Sequence, residues 1–196
     1  MPSPIAIWLA AALVYAGFLL WFLPLWRRVS PEEIRHVVDM AQAEGLEAAR
    51  VAELQRFLQE DDGGSFVMVN LLKLREPVED AHRAMEVYQR RFMGRLLRMA
   101  GFPLYAGRAV MRLNLEQWGI EADGWHAVAL VRYRCRRDLA RMILFSLEGD
   151  TREFKHAGLE RTFALPVVPI VSTVGPGVTV GVLLALVAAL LQIAGV

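Results

Sequence analysis

The sequence contains a single cysteine, Cys135, and two ends that carry no charged side chain. One cysteine excludes an intrachain disulfide, which fits a domain in a reducing, cytoplasmic compartment. All 22 Lys and Arg residues and all 21 Asp and Glu residues lie between Arg27 and Arg161. The apolar fraction of 55% is therefore an average over a charged middle and two apolar ends. For the same reason the formal net charge of +1 says little about partners.

Motifs for common enzyme chemistries are also missing. The chain has no GxSxG, no P-loop, no HExxH and no Cys–His pair, and its histidines are scattered. The ExxH spacing of Glu153 and His156 places a carboxylate and an imidazole on one helix face, but a single copy does not make a metal site. We therefore expect no metal and no cofactor, and the sequence names no catalytic residue.

The run RYRCRR at 132–137 resembles a nucleic-acid-binding patch in composition alone. Side chains alternate along a strand, so these arginines do not form one contiguous face. No aromatic stacking motif accompanies them. We expect no nucleic-acid partner, whereas beside a bilayer such arginines could contact anionic headgroups.

Both uncharged ends are long enough to cross a membrane as helices. A helix over 4–26 measures roughly 34 Å at about 1.5 Å per residue, compared with about 30 Å for the hydrocarbon core of a bilayer. Its tryptophans lie toward its two ends, where indole rings favour the membrane interface. The basic pair Arg27 and Arg28 follows the apolar stretch, whereas a signal peptide has its basic residues first. We predict transmembrane helices at 4–26 and 176–196.

Positive residues that flank a span stay on the cytoplasmic side of the inner membrane. Arg27 and Arg28 therefore predict a cytoplasmic central domain with both termini outside, and membrane lipid as a partner. The second span contains a GxxxG motif, Gly177 to Gly181, which allows two helices to approach closely. This motif could mediate dimerisation, contact another membrane protein, or pack the two spans of one chain together.

The charged middle divides into a helical segment and a mixed domain. Ser30, Pro31 and Glu33 predict a capped helix start, and 30–60 is predicted as a helical stalk or collar that ends at the turn DDGG. Beyond this turn, the hydrophobic period predicts strand 65–74, helix 79–99, strands 103–113 and 125–135, helices 137–145 and 151–162, and strand 164–171.

This order is βαββαβ, so 61–171 is predicted to be an α+β domain of ferredoxin-like type. Its strands are apolar on both faces, whereas its two core helices can cover one face only. A second copy of the domain is the natural cover for the other face, which predicts a homodimer.

Several runs in this domain resemble the dimeric α+β-barrel superfamily: FVMVNLLK, LYAGR, and WHAVALVRY followed by RRDL. More narrowly, the chain resembles a small family of unknown function related in fold to EthD-like and antibiotic-biosynthesis-monooxygenase domains. The resemblance covers about residues 60–168. It implies a homodimer with a cavity between each sheet and its helices, and it implies no particular reaction. The two flanking spans depart from the soluble members of this superfamily.

The resemblance and the strand pattern give six pocket candidates: Asn70, Tyr88, Tyr105, Arg108, Arg132 and Tyr133. Asn70 could lie with Tyr88 under the first core helix and bind a carbonyl or hydroxyl group. Alternatively it satisfies a neighbouring backbone group. Arg108 and Arg132 need an anion or a carbonyl, which could belong to a substrate or to the second subunit.

Two classes of function remain open on these residues. The first is a membrane-anchored dimeric barrel for binding or assembly, with a subunit of a larger membrane complex as a variant. The second is a membrane-tethered, cofactor-independent, monooxygenase-like enzyme that acts on a lipophilic small molecule. The missing acid–base pair favours the first.

Overall fold

The structure, a computed structural model, describes residues 3–25, 28–111, 113–116, 118, 124–147, 149–170 and 175–195. These residues form an α+β protein whose chain divides into two compact units, Met1–Leu25 with Pro169–Val196, and Trp26–Val168. The elements are α1 (Pro4–Phe22), α2 (Pro31–Ala43), α3 (Ala48–Gln59), β1 (Phe66–Leu74), α4 (Val78–Arg98), β2 (Phe102–Arg108), β3 (Ala127–Tyr133), α5 (Arg136–Leu147), α6 (Gly149–Gly158), β4 (Leu159–Val167) and α7 (Pro176–Ala194).

The first unit is a pair of antiparallel helices, α1 and α7, each long and apolar enough to cross a membrane. Trp8 near the start of α1 donates from Nε1 to Oε1 of Gln192 near the end of α7, at 2.8 Å. The predicted span 4–26 ends early, at Phe22. Its next residue, Leu23, is extended because it precedes a proline, which disfavours the helical conformation. Arg27 lies outside the described residues.

The GxxxG motif packs within the chain. The Tyr15 hydroxyl donates to the carbonyl of Gly177 at 3.2 Å. A Cβ added at Gly181 would lie 3.0 Å from Cζ of Tyr15. The missing side chain of Gly181 therefore gives the Tyr15 ring of α1 room to approach, and the Gly177 carbonyl accepts from its hydroxyl. This motif thus contributes to the contact between the two apolar helices of one chain.

The second unit is built on an antiparallel four-stranded sheet in the order β2-β3-β1-β4. The predicted helix 151–162 and strand 164–171 are displaced: α6 ends at Gly158 and β4 begins at Leu159. A Cβ at Gly158 would lie 2.5 Å from Cγ of Met85, so the missing side chain lets the end of α6 approach α4. The chain then pairs at once with β1, where Lys73 binds Glu160 at 3.1 Å.

One face of the sheet carries the core. Phe66 and Met68 of β1 and Val131 of β3 are buried against α4 and α5, where Leu96 and Met142 are almost fully buried. A smaller buried cluster lies at the opposite end of β1 and includes side chains from the start of α4. Because side chains alternate along a strand, these residues fix which positions of the sheet meet the helices.

The other face of the sheet is apolar and, among the residues that the structure describes, partly exposed. It carries Val69 and Leu71 of β1, Leu130 of β3, and Phe163 and Leu165 of β4, which the strand register places side by side. None of the buried clusters among the described residues includes a side chain from this face. We refer to these five residues and their neighbours on the same face as the open face.

Helices α2 and α3 pack on α5. The capping box is present: the Ser30 hydroxyl accepts from the Glu33 backbone at 3.2 Å, and the Glu33 carboxylate accepts from the Ser30 backbone at 3.0 Å. Ile34 and Val37 of α2 and Leu58 of α3 are buried with Ala140 of α5. The segment 30–60, which the sequence predicts to be a stalk or collar, thus forms a layer of the second unit.

The arginines of the run 132–137 bind protein acceptors. Arg134 forms a bidentate pair with Asp138, at 2.7 and 3.2 Å, and both side chains are buried. Arg136 donates to the carbonyl of Phe57, and Arg137 donates to Glu33 at 2.9 Å. These arginines join β3 and α5 to the α2–α3 layer.

We expect the link between α2 and α5 through Glu33 to weaken in acid. Burial raises the pKa of Glu33, but the Ser30 backbone, Arg137 and Arg141 outweigh it and hold the pKa below its ordinary value of 4.5. The ionised Glu33 carboxylate therefore contributes its full stabilisation at a pH above its unfolded pKa of 4.5. This contribution is lost as the pH falls through the pKa of Glu33 in the folded protein, which is lower. Glu33→Gln keeps the capping geometry without the charge. Its stability deficit, about 1 kcal/mol at pH 7, should shrink as the pH falls below 4.5 in urea unfolding followed by circular dichroism. A deficit independent of pH would contradict this.

Candidate functional site

The sheet separates the six predicted pocket residues onto two faces. Asn70 is half-buried on the helix face, and its Nδ2 donates to the carbonyls of Met68 at 3.1 Å and Ala129 at 3.2 Å. The amide therefore bonds to backbone of its own strand and of β3. These two hydrogen bonds correspond to the alternative in which the Asn70 amide satisfies neighbouring backbone groups and binds no ligand.

The two tyrosines on the helix face are held inside the protein. Burial raises the pKa of Tyr88, although a hydrogen bond to Ser146 of α5 opposes this shift. Burial, followed by the nearby Tyr88, raises the pKa of Tyr133, which stacks on Phe66 with ring centroids 5.5 Å apart. Both phenols stay protonated at neutral pH.

Tyr105 and Arg132 lie on the open face. The Tyr105 ring packs over Gly107, where an added Cβ would lie 2.4 Å from the hydroxyl oxygen. Arg132 donates to the carbonyl of Ala100 at 3.1 Å and lies over the Phe102 ring. Burial, followed by the charge of Arg134, lowers the pKa of Arg132. Both residues therefore lie on the opposite side of the sheet from Asn70.

A β-bulge decides which residues of β2 face the helices. The register of β2 against β3 shifts between Pro103 and Tyr105, so that Tyr105 pairs with Leu130 instead of Ala129. A shift of one residue moves every later side chain to the opposite face. The bulge therefore places Tyr105 on the open face and brings Ala106 and Arg108 to the helix face.

The helix face contains a cavity of about 810 Å³ between α4 and the sheet. Its floor is made by Ala106, Ala127 and Ala129, and Val78 and Met85 of α4 line the opposite wall. Alanine leaves open the space that larger side chains fill farther along the same strands. The volume lies in the range of sites that bind small molecules.

Polar groups border this cavity. Arg108 ends β2 and His126 precedes β3, while His82 and Gln89 belong to α4. The Nδ1 atom of His126 accepts a hydrogen bond from the Leu74 backbone at 3.2 Å, so the neutral imidazole carries its proton on Nε2. Among the residues that the structure describes, no group of His, Cys, Asp or Glu could hold a metal ion. The site offers hydrogen-bond donors beside an apolar floor.

Most residues of this cavity were not among the candidates predicted from the sequence. Of the six candidates, Arg108 alone lines the cavity. A usable signal was the alternation of small and large residues in β3, where Ala127 and Ala129 alternate with Val128 and Leu130. Small side chains on the face that meets a helix leave a gap in the packing.

A second cavity, of about 750 Å³, lies on the open face. Leu71, Tyr105 and Phe163 form its base, and Trp118 and Trp125 of the segment between β2 and β3 line its side. Its base therefore consists of side chains from three strands of the open face.

Comparisons with known proteins establish the fold and no function. No family model and no curated protein match the chain. Two crystal structures of RPA0582, a protein of unknown function from Rhodopseudomonas palustris, are similar to it, one of them of the methylated protein. Each is 19% identical to this chain and covers 64% of it, with TM-scores of 0.50 and 0.51 over 95% and 93% of RPA0582. This likeness supports the α+β fold alone.

Proposed function

We propose that the protein is a membrane-anchored homodimeric module of the dimeric α+β-barrel type, used for binding or assembly. The strand order β2-β3-β1-β4, with α4 and α5 on one face, supports a ferredoxin-like arrangement of the domain. The observation that carries the proposal is the open face, an apolar sheet surface in the centre of an otherwise charged segment.

The open face has the character of an interface. Phe163 is 50% exposed, Leu165 47% and Tyr105 55%, and they border partly buried aliphatic side chains of β1 and β3. Contiguous apolar patches on a soluble domain mark interaction sites. A second copy packing face to face would cover them, and a stable interface of standard size buries about 800 Å² on each partner.

Anchoring rests on α1 and α7. Both helices are uncharged and long enough to cross a bilayer, and each presents most of its surface to its surroundings. Membrane lipid is therefore a partner in this proposal. The Arg27 and Arg28 pair favours a cytoplasmic domain with both termini outside.

The dimer predicts a specific effect of a charge on the open face. Leu165→Glu should convert the dimer to monomer, because an unpaired carboxylate would be buried between the two sheets. Leu97→Glu is the matched control: Leu97 is 48% exposed, against 47% for Leu165, but lies on α4, on the other side of the sheet. Native mass spectrometry of the full chain released from nanodiscs measures the change. A wild-type monomer, or a Leu165→Glu dimer, would overturn the proposed dimer.

The alternative function is a membrane-tethered, cofactor-independent, monooxygenase-like enzyme that acts on a lipophilic small molecule. The cavity under α4, with Arg108 and His126 at its edge, is the observation that favours it.

A variant of the first proposal makes the protein a subunit of a larger membrane complex that binds through the GxxxG motif. This motif is already in contact with Tyr15 of the same chain. A further subunit would therefore need a different surface.

A further inference from the structure

The floor of the cavity under α4 is flat. Ala106 and Ala129 are paired across β2 and β3, and Ala127 follows two residues along on the same face. Strands lie about 4.8 Å apart and residues two apart on a strand are separated by roughly 7 Å. The three methyl groups therefore form an apolar patch about as wide as a fused aromatic ring.

Among the residues that the structure describes at the edge of the cavity, Arg108 is a cation that is free to bind a ligand. Arg108 forms no ion pair with any carboxylate that the structure describes, whereas Lys73 is held by Glu160 at 3.1 Å. Glu76 is the carboxylate among the described residues that line the cavity, and it is exposed. His126 adds a neutral donor, its Nε2–H, because its other ring nitrogen accepts from the Leu74 backbone.

We propose that this cavity binds a planar aromatic carboxylate. The ring lies on the alanine floor under α4, where flat apolar surface is removed from water. The carboxylate binds the Arg108 guanidinium, whose planar fork matches it in a bidentate geometry. This inference rests on the proposed binding role of the domain and gives it a ligand class.

The test compares 2-naphthoate with its neutral analogue 2-naphthamide. Equilibrium dialysis of the full chain in amphipol, with empty amphipol as the blank, should show binding of 2-naphthoate at least about tenfold tighter than of 2-naphthamide. Arg108→Gln should weaken 2-naphthoate about tenfold and leave 2-naphthamide unchanged, because only the charged contact is removed. Arg90→Gln removes an exposed arginine of α4 outside the cavity lining and should change neither probe.

A variant of the floor tests the second half of the proposal. Ala106→Leu adds three carbons where the ring would lie and should abolish binding of both probes. The position is exposed to the cavity, so the fold has room for the larger side chain. Equal affinity for the two probes, unchanged 2-naphthoate binding in Arg108→Gln, or no binding would each overturn the inference. Tighter binding of the flexible carboxylate dodecanoate than of 2-naphthoate would overturn the inference that the ligand is planar.

Native mass spectrometry of the same samples separates this inference from the proposed function. A dimer that binds no 2-naphthoate would overturn the ligand class and leave the dimeric module in place. A monomer that binds 2-naphthoate with the expected Arg108 dependence would overturn the dimer alone. A monomer without binding would overturn both.

Discussion

Replacing Asp138 with asparagine should destabilise the second unit by about 3–5 kcal/mol, the largest effect expected of a single change that preserves side-chain size. The side chains of Arg134 and Asp138 are 2% and 3% exposed, and their two contacts are 2.7 and 3.2 Å long. Removing the carboxylate leaves a guanidinium charge in a place that water does not reach. The buried charge, and not the lost contact alone, makes the change costly.

Cys135 provides the measurement. It is the chain's only cysteine and is fully buried, and burial, followed by the charge of Asp138, raises its pKa to about 11. A pulse of thiol reagent at increasing urea therefore labels the chain only where the second unit is open. We expect the labelling midpoint to fall by at least about 1 M in Asp138→Asn. The comparison uses the urea concentration at which half of the chains are labelled, so a change in the intrinsic reactivity of the thiol does not affect the result.

The control for this variant is an ion pair of similar spacing on the surface. Asp80 binds Arg83 on α4, where the two side chains are 64% and 76% exposed. Water solvates both charges there, so Asp80→Asn should change the free energy of unfolding by less than about 1 kcal/mol and leave the midpoint close to that of the wild type. Equal midpoints for Asp138→Asn and the wild type would show that the buried pair contributes little to stability.

Truncation of Leu96 to alanine should cost about 2–5 kcal/mol. Leu96 is fully buried in α4 against the sheet and α5. Its Cδ1 also fills the space beside Gly101, where an added Cβ would lie 2.4 Å away. Two terms add to this cost. The truncated side chain removes less apolar surface from water, and a cavity remains because a strand and two helices hold the surrounding atoms in place.

The neighbouring residue supplies the control for Leu96→Ala. Leu97 has the same chemistry and the same helix but is 48% exposed, so Leu97→Ala should cost less than about 1 kcal/mol. Cys135 labelling in urea compares the two variants directly. Similar midpoints for both would mean that α4 is not packed on the sheet as described.

Local sequence signals were enough to predict the order of the elements. Alternation at β1 and β3, the stripe of apolar residues on α4 and the capping box at Ser30 are properties of adjacent residues, and each corresponds to an element of the structure. The start of β4 could not be predicted this way. The residues Leu159 to Arg161 suit a helix by composition, and they are extended because they pair with β1, far away in the sequence.

The site was harder to predict because one irregularity controls it. Without the bulge beside Leu104, Tyr105 would face α4 and Arg108 would face away from it, as simple alternation from Phe102 indicates. The insertion of one residue in a strand pairing depends on the partner strand and leaves no fixed mark in the sequence. Residue types could therefore identify Arg108 as a candidate without placing it beside the alanines of β3.

The contact between α1 and α7 also bears on how the second unit would unfold. Trp8 with Gln192 and Tyr15 with Gly177 join the two ends of the chain, so the segment between the helices is a closed loop for as long as that pair persists. A covalent crosslink around a loop of about 100 residues removes about 4.7 kcal/mol of chain entropy from the denatured state. A helix pair that stays associated in a bilayer would act in the same way, without a covalent bond. The domain would then unfold and refold as a circularised chain, with no free end from which fraying could start.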